Sequence, residues 1–361
     1  MSNDVISHLA HHIFELSQRK DLVFSDIHIE QGQPVMVRRP NGWVDAGYDA
    51  RVEGGDIVAF LKSFDQTWRE KLDQHGHFDA TSEIRGVRLR CSAYSIDGGE
   101  RVSVSVRKFP GHPPTFEETG LPASAAAFTK APRGMLLVSG PTGSGKTTSL
   151  ASIIQRINET RAAHIVTIED PIEYVFQRSQ SIISQRQVGK DVATFADGLH
   201  GALRQRPDVI LIGEIRDADT AQTALRAAES GHFVLASTHA RNSAGAIAKI
   251  LSFFGQDLES MAVAMANSLV GVIAQSLVPT KDNKAVLAAE VLHVNEQNVR
   301  KAIAELKFGE ITELLRANKL PQCTYGNLML AQLVRRHTVS LEAALTHSSD
   351  PNELRRLADG A

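Results

Sequence analysis

The octet Gly140-Pro141-Thr142-Gly143-Ser144-Gly145-Lys146-Thr147 meets the pattern GxxxxGK[ST] at every position. Those residue types suit one chemistry above others. Glycines let consecutive backbone N–H groups turn inward around phosphate oxygens. The lysine, Lys146, would reach the β- and γ-phosphates, and the hydroxyl of Thr147 would take Mg²⁺, with Thr148 beside it. The flanks agree: Met135 to Val138 reads as a strand and Thr147 to Ile157 as a helix. A helix N-terminus favours negative charge. ATP and Mg²⁺ are the expected ligands.

Phosphate binding alone is not hydrolysis, which needs a carboxylate near the metal and a group that orients water. Two acidic clusters follow strand-like runs. One is Ile165-Val166-Thr167-Ile168-Glu169-Asp170-Pro171-Ile172-Glu173, the other Val209-Ile210-Leu211-Ile212-Gly213-Glu214-Ile215-Arg216-Asp217. In an open parallel sheet, ligands sit beyond the carboxyl ends of the strands, so both clusters can face the phosphates. A lone acid after a strand is commonly a helix cap, and that reading fits Asp170 and Asp217. It fits Glu214 poorly, directly after four apolar residues and a glycine. Gly231 to His239, GHFVLASTH, is a further strand with a histidine at each end. From spacing alone His232 and His239 read as two separate structural histidines, because no third metal ligand lies near.

The elements that must position these groups fall into an α/β plan. Residues 4–20 carry Val5, Leu9, Ile13 and Leu16 at helical spacing. Ser25 to Glu30 alternates as a strand, Gln31 to Pro34 turns, and Val35 to Val37 continues as a second strand. Residues 56–74 look helical. Val87 to Arg107 reads as two strands about Asp97-Gly98-Gly99. This predicts an α+β domain over 1–108. A proline-rich linker at 109–122 follows, acting as a hinge between Pro110 and Pro122. An ATPase core is expected over 123–280. Its strands are Gly134–Ser139, His164–Ile168, Val209–Ile212 and His232–Ser237, with helices at 145–158, 195–205 and 217–230. The short continuous apolar runs predict a parallel sheet covered on both faces. From about residue 255 the pattern reads as mostly helical, giving a helical region over 281–361.

Composition bounds the partners. The chain has 361 residues, 42% hydrophobic and 22% charged, with 39 basic against 41 acidic residues and a net charge of -2. That balance excludes a strongly basic coat for DNA or anionic lipid. Two cysteines, Cys91 and Cys323, cannot make a four-cysteine zinc site. A cytoplasmic setting is the default expectation. The N-terminus lacks the basic, apolar and small-residue succession of a signal peptide. Met261 to Val278 carries no charge but stops at Pro279, and it predicts a buried helix or helix pair. Any membrane association is expected through partners.

Together these residues resemble the secretion ATPase superfamily of type II secretion, type IV pili and type IV secretion machines. The phosphate loop GPTGSGKTT, the acidic stretch TIEDPIEY (Thr167 to Tyr174), the Walker B-like RPDVILIGEIRD (Arg206 to Asp217) and GHFVLASTH stand in the family's order. SDIHIE (Ser25 to Glu30) resembles its N-terminal domain. The likeness covers nearly the whole chain and leans toward the pilus-retraction branch. It implies a PAS-like N-terminal domain and a RecA-like ATPase domain. It implies that Glu173 helps hold metal and water, that Glu214 is the catalytic glutamate, and that His232 and His239 sense the γ-phosphate. It implies a homohexameric ring at the inner membrane that drives a platform protein, with no direct nucleic-acid partner. Arginines of the N-terminal domain would approach the γ-phosphate of a neighbour; Arg90 and Arg107 match, with Arg88 and Arg101 as alternatives. The retraction branch carries an AIRNLIRE stretch, whereas Val299 to Leu306 here reads VRKAIAEL. A conjugation or type IV secretion transfer ATPase therefore stays open beside retraction. A RecA-like nucleic-acid motor is the more distant alternative, disfavoured by the neutral charge balance.

Overall fold

The computed structural model describes residues 8–18, 24, 26–39, 42–48, 51–84, 86–282 and 284–359. The chain divides into two compact units, Met1–Gly111 and His112–Ala361.

The first unit runs α1 (His8–Gln18), β1 (Asp26–Glu30), β2 (Met36–Arg39), β3 (Gly42–Asp45), α2 (Gly54–Lys62), α3 (Trp68–His75), β4 (His77–Ile84), β5 (Val87–Ile96) and β6 (Arg101–Lys108). The ends of the helix expected over 4–20, and Ser25, lie outside the described residues. The strands form one antiparallel sheet in the order β3-β2-β1-β6-β5-β4. Alternation buries one face: Ile27, Ile29, Leu89, Cys91, Val104 and Val106 pack with Leu9, Ile13, Phe60, Leu61 and Leu72 of the helices. By the same alternation Arg88, Arg90, Arg101 and Arg107 share the other face. The helical stretch expected over 56–74 is two helices, α2 and α3, with a break between them. At the break, the Asp65 carboxylate accepts from the Thr67 backbone N–H at 2.7 Å and from Lys71 Nζ at 2.5 Å. These bonds, Lys71 foremost, hold the Asp65 carboxyl down at about 2.

The second unit contains β7 (Gly134–Ser139), α4 (Lys146–Thr160), β8 (His164–Glu169), β9 (Ile182–Gln187), α5 (Phe195–Leu203), β10 (Val209–Ile212), α6 (Ala218–Glu229), β11 (Phe233–Thr238), α7 (Ser243–Leu251), α8 (Leu258–Ser268), β12 (Leu269–Pro279), β13 (Ala285–His293) and then α9 (Gln297–Ala304), α10 (Phe308–Arg316), α11 (Gly326–Arg335), α12 (Leu341–His347) and α13 (Pro351–Asp359). Its sheet has the order β13-β12-β7-β11-β10-β8-β9. All pairings are parallel except β12 with β13. Both faces are covered. Met135, Leu137, Ile210 and Ile212 face helices α5 to α10, while Leu136, Val138, Val209 and Leu211 face α4. Val278 and Ala288 carry a further small cluster with α11 to α13.

Three expectations are corrected. Met261 to Val278 is a helix only as far as Ser268; from Leu269 it is a strand, in register with β7. An uncharged buried run suits either element, and here the β-branched Val270, Val272, Ile273 and Val278 go with the sheet. The sheet does not end at residue 280, because β13 returns beside β12 through nine register pairs. The stretch 109–122, expected as a linker, is in part built into the second unit, with Phe116 and Leu121 buried in its core.

Candidate active site

The parallel sheet brings the carboxyl ends of β7, β11, β10 and β8 to one edge. Thr238 of β11 is level with Ser139 of β7, and Ile212 of β10 is level with Ala236 of β11 and Ile168 of β8. The segments after these strands are the phosphate-type loop, His239, Glu214 and the Glu169–Glu173 stretch.

The loop after β7 needs its glycines. At Gly140, φ is +154° and an added Cβ would lie 2.2 Å from the Gln275 carbonyl oxygen. Gly145 is the left-handed N-cap of α4, with φ +85°. Only glycine holds such backbone without strain. The helix that follows buries Leu150, Ile153, Ile154 and Ile157 on one side, so its N-terminus is rigidly aimed. Lys146 Nζ donates to the carbonyls of Gly140 at 2.9 Å and Pro141 at 3.1 Å, closing the loop on itself. Burial lowers the Lys146 pKa, and the Glu214 carboxylate opposes that shift. Thr148 does not turn to the loop: its Oγ1 meets Tyr174 Oη at 3.0 Å. Tyr174 thereby ties the acidic stretch that holds Glu173 to the first turn of α4.

Glu214 is held on both oxygens. His239 Nε2 lies 2.8 Å from Oε1, and Arg216 Nε donates to Oε2 at 2.7 Å. Arg216 also lies 3.8 Å from the Asp170 carboxylate, so it bridges the two acidic clusters. The backbone under Glu214 is fixed to β8 and β11. The Gly213 N–H donates to the Ile168 carbonyl at 2.7 Å, and Ser237 Oγ donates to the Gly213 carbonyl at 2.5 Å. Asp217 is a helix cap: it accepts from the Thr220 backbone N–H at 2.8 Å at the start of α6. Glu169 is buried and accepts from Thr167 Oγ1 at 2.6 Å.

The donor set suits Mg²⁺. That ion takes hard oxygens, commonly one or two carboxylates plus a hydroxyl and substrate phosphates. Thr147 in the first turn of α4 and the carboxylates of Glu173 and Glu214 are of that kind. No cluster of three or more His, Cys, Asp or Glu forms a metal cage among the described residues.

His232 is not brought to this site. It precedes β11, beside Gly134 at the start of β7, whereas the loop follows the end of β7. At about 3.3 Å per residue the two ends are roughly 20 Å apart. Its Nδ1 lies 3.0 Å from the Ala227 carbonyl and 3.1 Å from Ser230 Oγ, which fixes the turn after α6. Of the two histidines expected at the γ-phosphate, His239 lies at the loop's edge of the sheet and His232 at the opposite edge. Arg90 and Arg107 stand opposite one another in register on the first unit's sheet. Arg107 Nε donates to Asp26 at 2.8 Å, and Arg90 lies 3.9 Å from Asp79. Arg101 pairs with Glu30 at 3.3 Å and with Asp97, and Arg88 stacks over the Phe109 ring at 5.9 Å. Sequence reasoning passed over Arg216, Tyr174 and Gln275. The first two lie inside the quoted motifs, and their polar tips next to acidic or hydroxyl groups were the available signal.

A β-strand, a glycine loop and a helix N-terminus, with a glutamate and a histidine at the same sheet edge, define a P-loop ATPase domain. The model for type II/IV secretion system proteins matches residues 23–348. The chain belongs to the type II/IV secretion ATPase family. It is 37% identical over 294 residues to a twitching motility protein of Neisseria gonorrhoeae, covering 81% of this chain and 78% of that one. It is 32% identical over 330 residues to the type IV pilus retraction ATPase PilT of Pseudomonas aeruginosa, covering 91% and 95%. The crystal structure of the pilus retraction motor PilT with bound ADP superposes with a TM-score of 0.86 at 37% identity, over 95% of this chain and 98% of that one. The Legionella pneumophila ATPase DotB superposes at 0.77 with 26% identity, over 93% and 92%. No helix among the described residues is long and apolar enough to cross a membrane.

Proposed function

We propose that the chain is a Mg²⁺-dependent ATPase motor of a type IV pilus or related secretion apparatus, working in retraction as a homohexameric ring. The observation that carries the catalytic reading is Glu214, set at the loop's end of the sheet with His239 and Arg216 on its two oxygens. The loop N–H groups and Lys146 hold the phosphates, Lys146 exchanging its bonds to Gly140 and Pro141 for phosphate oxygens. Thr147 and Glu173 would hold the metal, which when bound would neutralise charge on the phosphates. Glu214 orients the attacking water and takes its proton, while His239 reports the γ-phosphate through Glu214. Arg90 and Arg107 are proposed to leave Asp79 and Asp26 for the γ-phosphate of a neighbouring subunit. That would make turnover depend on ring closure, with the platform protein driven by the resulting motion. The setting is the cytoplasmic face of the inner membrane, reached through partners, with no nucleic acid involved.

Lys146→Ala is expected to lose ATP binding, and Glu214→Ala to keep binding and lose turnover. Undiminished turnover in Glu214→Ala overturns the assignment. For the retraction role, the likeness to PilT is the support. Deleting the gene and counting surface pili tests it: loss of retraction leaves surplus pili. A transfer ATPase is the second reading, favoured by one feature. The stretch nearest to the retraction motif reads VRKAIAEL over Val299 to Leu306, a poor match to AIRNLIRE. Unchanged pilus number with lost transfer would select that reading.

A further inference from the structure

Gln275 lies outside every motif, yet it touches the phosphate loop across 131 positions of sequence. It sits on β12 immediately after Ala274, which is level with Ser139 at the end of β7. Strand β12 therefore runs on beneath the loop. The residue is only 3% exposed. Its Nε2 donates to the Ser144 carbonyl at 2.8 Å. Its Oε1 is buried with no hydrogen-bond partner among the described residues. The reverse amide orientation would set oxygen against oxygen at Ser144, so the carbonyl dictates which end faces the loop.

The bond acts on a particular peptide. The carbonyl of Ser144 and the N–H of Gly145 belong to one planar trans unit, in which C=O and N–H point in opposite directions. A donor that draws the Ser144 carbonyl toward β12 turns the Gly145 N–H the other way, into the concavity where phosphate oxygens are bound. The backbone of the same residue adds a second constraint. The Gln275 carbonyl fills the space a Cβ at Gly140 would need, so one strand position fixes both ends of the loop. A buried amide with one end unpaired is costly for the core. Its pairing with the loop is what that cost supports.

We propose that Gln275 is a positioning residue for nucleotide binding, preforming the loop by holding the Ser144–Gly145 peptide plane. The proposal rests on the reading of this loop as the nucleotide site. The test uses the full chain and a fluorescent ADP analogue, with ADP affinity and ATP turnover measured beside thermal unfolding. Gln275→Met keeps the shape, removes the donor and also removes the unpaired oxygen. It is expected to weaken ADP binding about five- to tenfold, the worth of one hydrogen bond, with little change in unfolding temperature. Gln275→Glu supplies a donor only when protonated. Its ADP affinity relative to wild type is therefore expected to rise as pH falls, which a purely structural residue would not show. Wild-type affinity in Gln275→Met overturns the proposal, as does a pH-independent ratio for Gln275→Glu. Failure of both variants to fold overturns it too, since the side chain then serves the core; if only the Glu variant fails, the Met variant decides. Lys146→Ala, run alongside, separates this from the underlying reading: if it too binds ADP normally, the loop is not the nucleotide site.

Discussion

His239 and Glu214 meet at 2.8 Å, Nε2 against Oε1, although they follow different strands and lie 25 positions apart. Parallel pairing of β10 with β11 makes the contact, because Ile212 and Ala236 end the shared register just before the two residues. With Arg216 on Oε2, Glu214 has both oxygens engaged. On the proposed reading each oxygen keeps a second lone pair for the attacking water, so the imidazole and the guanidinium orient the carboxylate without blocking it.

The first prediction follows from that contact. His239→Ala should leave ADP affinity within about twofold, since the loop and Lys146 are untouched, and lower kcat by about a hundredfold, the low end of what proton-transfer catalysis contributes. His239→Gln, which can place a donor at the same oxygen, should keep part of the rate. Steady-state turnover with a separate binding titration checks this. Loss of ADP affinity with kcat retained would overturn the role.

Much of this edge could be read from the chain before any coordinates. Short apolar runs marked β7, β8, β10 and β11, the first three ending in glycine or acid, since strands buried on both faces need no alternation. Strand β9, Ile182 to Gln187, was invisible because most of its side chains are polar and only partly buried at the sheet's edge. Strand β12 was hidden by the lack of any charge over Met261 to Val278, where period alone cannot part helix from strand. His232 was misplaced for another reason. The resemblance, not the spacing, put it at the γ-phosphate; the rule that ligands sit beyond the carboxyl ends of parallel strands already leaves the start of β11 at the far edge. Gln275 left no signal, because its partner is a backbone carbonyl, which has no residue type.

A second prediction concerns the crossing of β12 over Phe128. At Gly271, an added Cβ would lie 2.3 Å from two carbons of the Phe128 ring and 2.7 Å from the Leu292 carbonyl. The register with β7 slips between Leu269 and Gly271, so the strand is already adjusted to this close approach. Gly271→Ala is expected to destabilise the second unit by about 1–3 kcal/mol, the range for overpacking a filled core. Urea unfolding followed by circular dichroism measures it, and an unchanged midpoint would show that Phe128 can move aside freely.

The same ring supports a third prediction, on pH. His293 stacks on Phe128 with centroids 4.3 Å apart, and its Nε2 is buried without a partner among the described residues. Burial lowers its pKa below the ordinary 6.5, outweighing a hydrogen bond with the Ser124 backbone that would raise it. The unfolded chain then takes up a proton that the folded chain refuses. Stability from this group is complete above about 6.5 and is lost as pH falls below it. His293→Phe keeps the stack and removes the proton site. The stability advantage of wild type over this variant should therefore shrink between about pH 7.5 and pH 5.5. Parallel unfolding profiles at the two pH values would contradict it.

The fourth prediction addresses the arginines of the first unit. Arg107 is held by Asp26 at 2.8 Å and Arg90 more loosely by Asp79 at 3.9 Å, each on an exposed sheet face where such pairs are worth little. Releasing them to a phosphate therefore costs little. If they act on a neighbour's nucleotide, Arg90→Ala subunits are deficient as donors but keep a working loop, and Lys146→Ala subunits are the converse. Mixing the two inactive variants should then restore part of the ATPase activity, because some interfaces in each mixed ring join an intact arginine to an intact loop. The rate is measured across mixing ratios, with ring assembly confirmed by size and mass. Absence of recovery at every ratio would show that Arg90 does not act across an interface, and the same experiment with Arg107→Ala would then test its register partner.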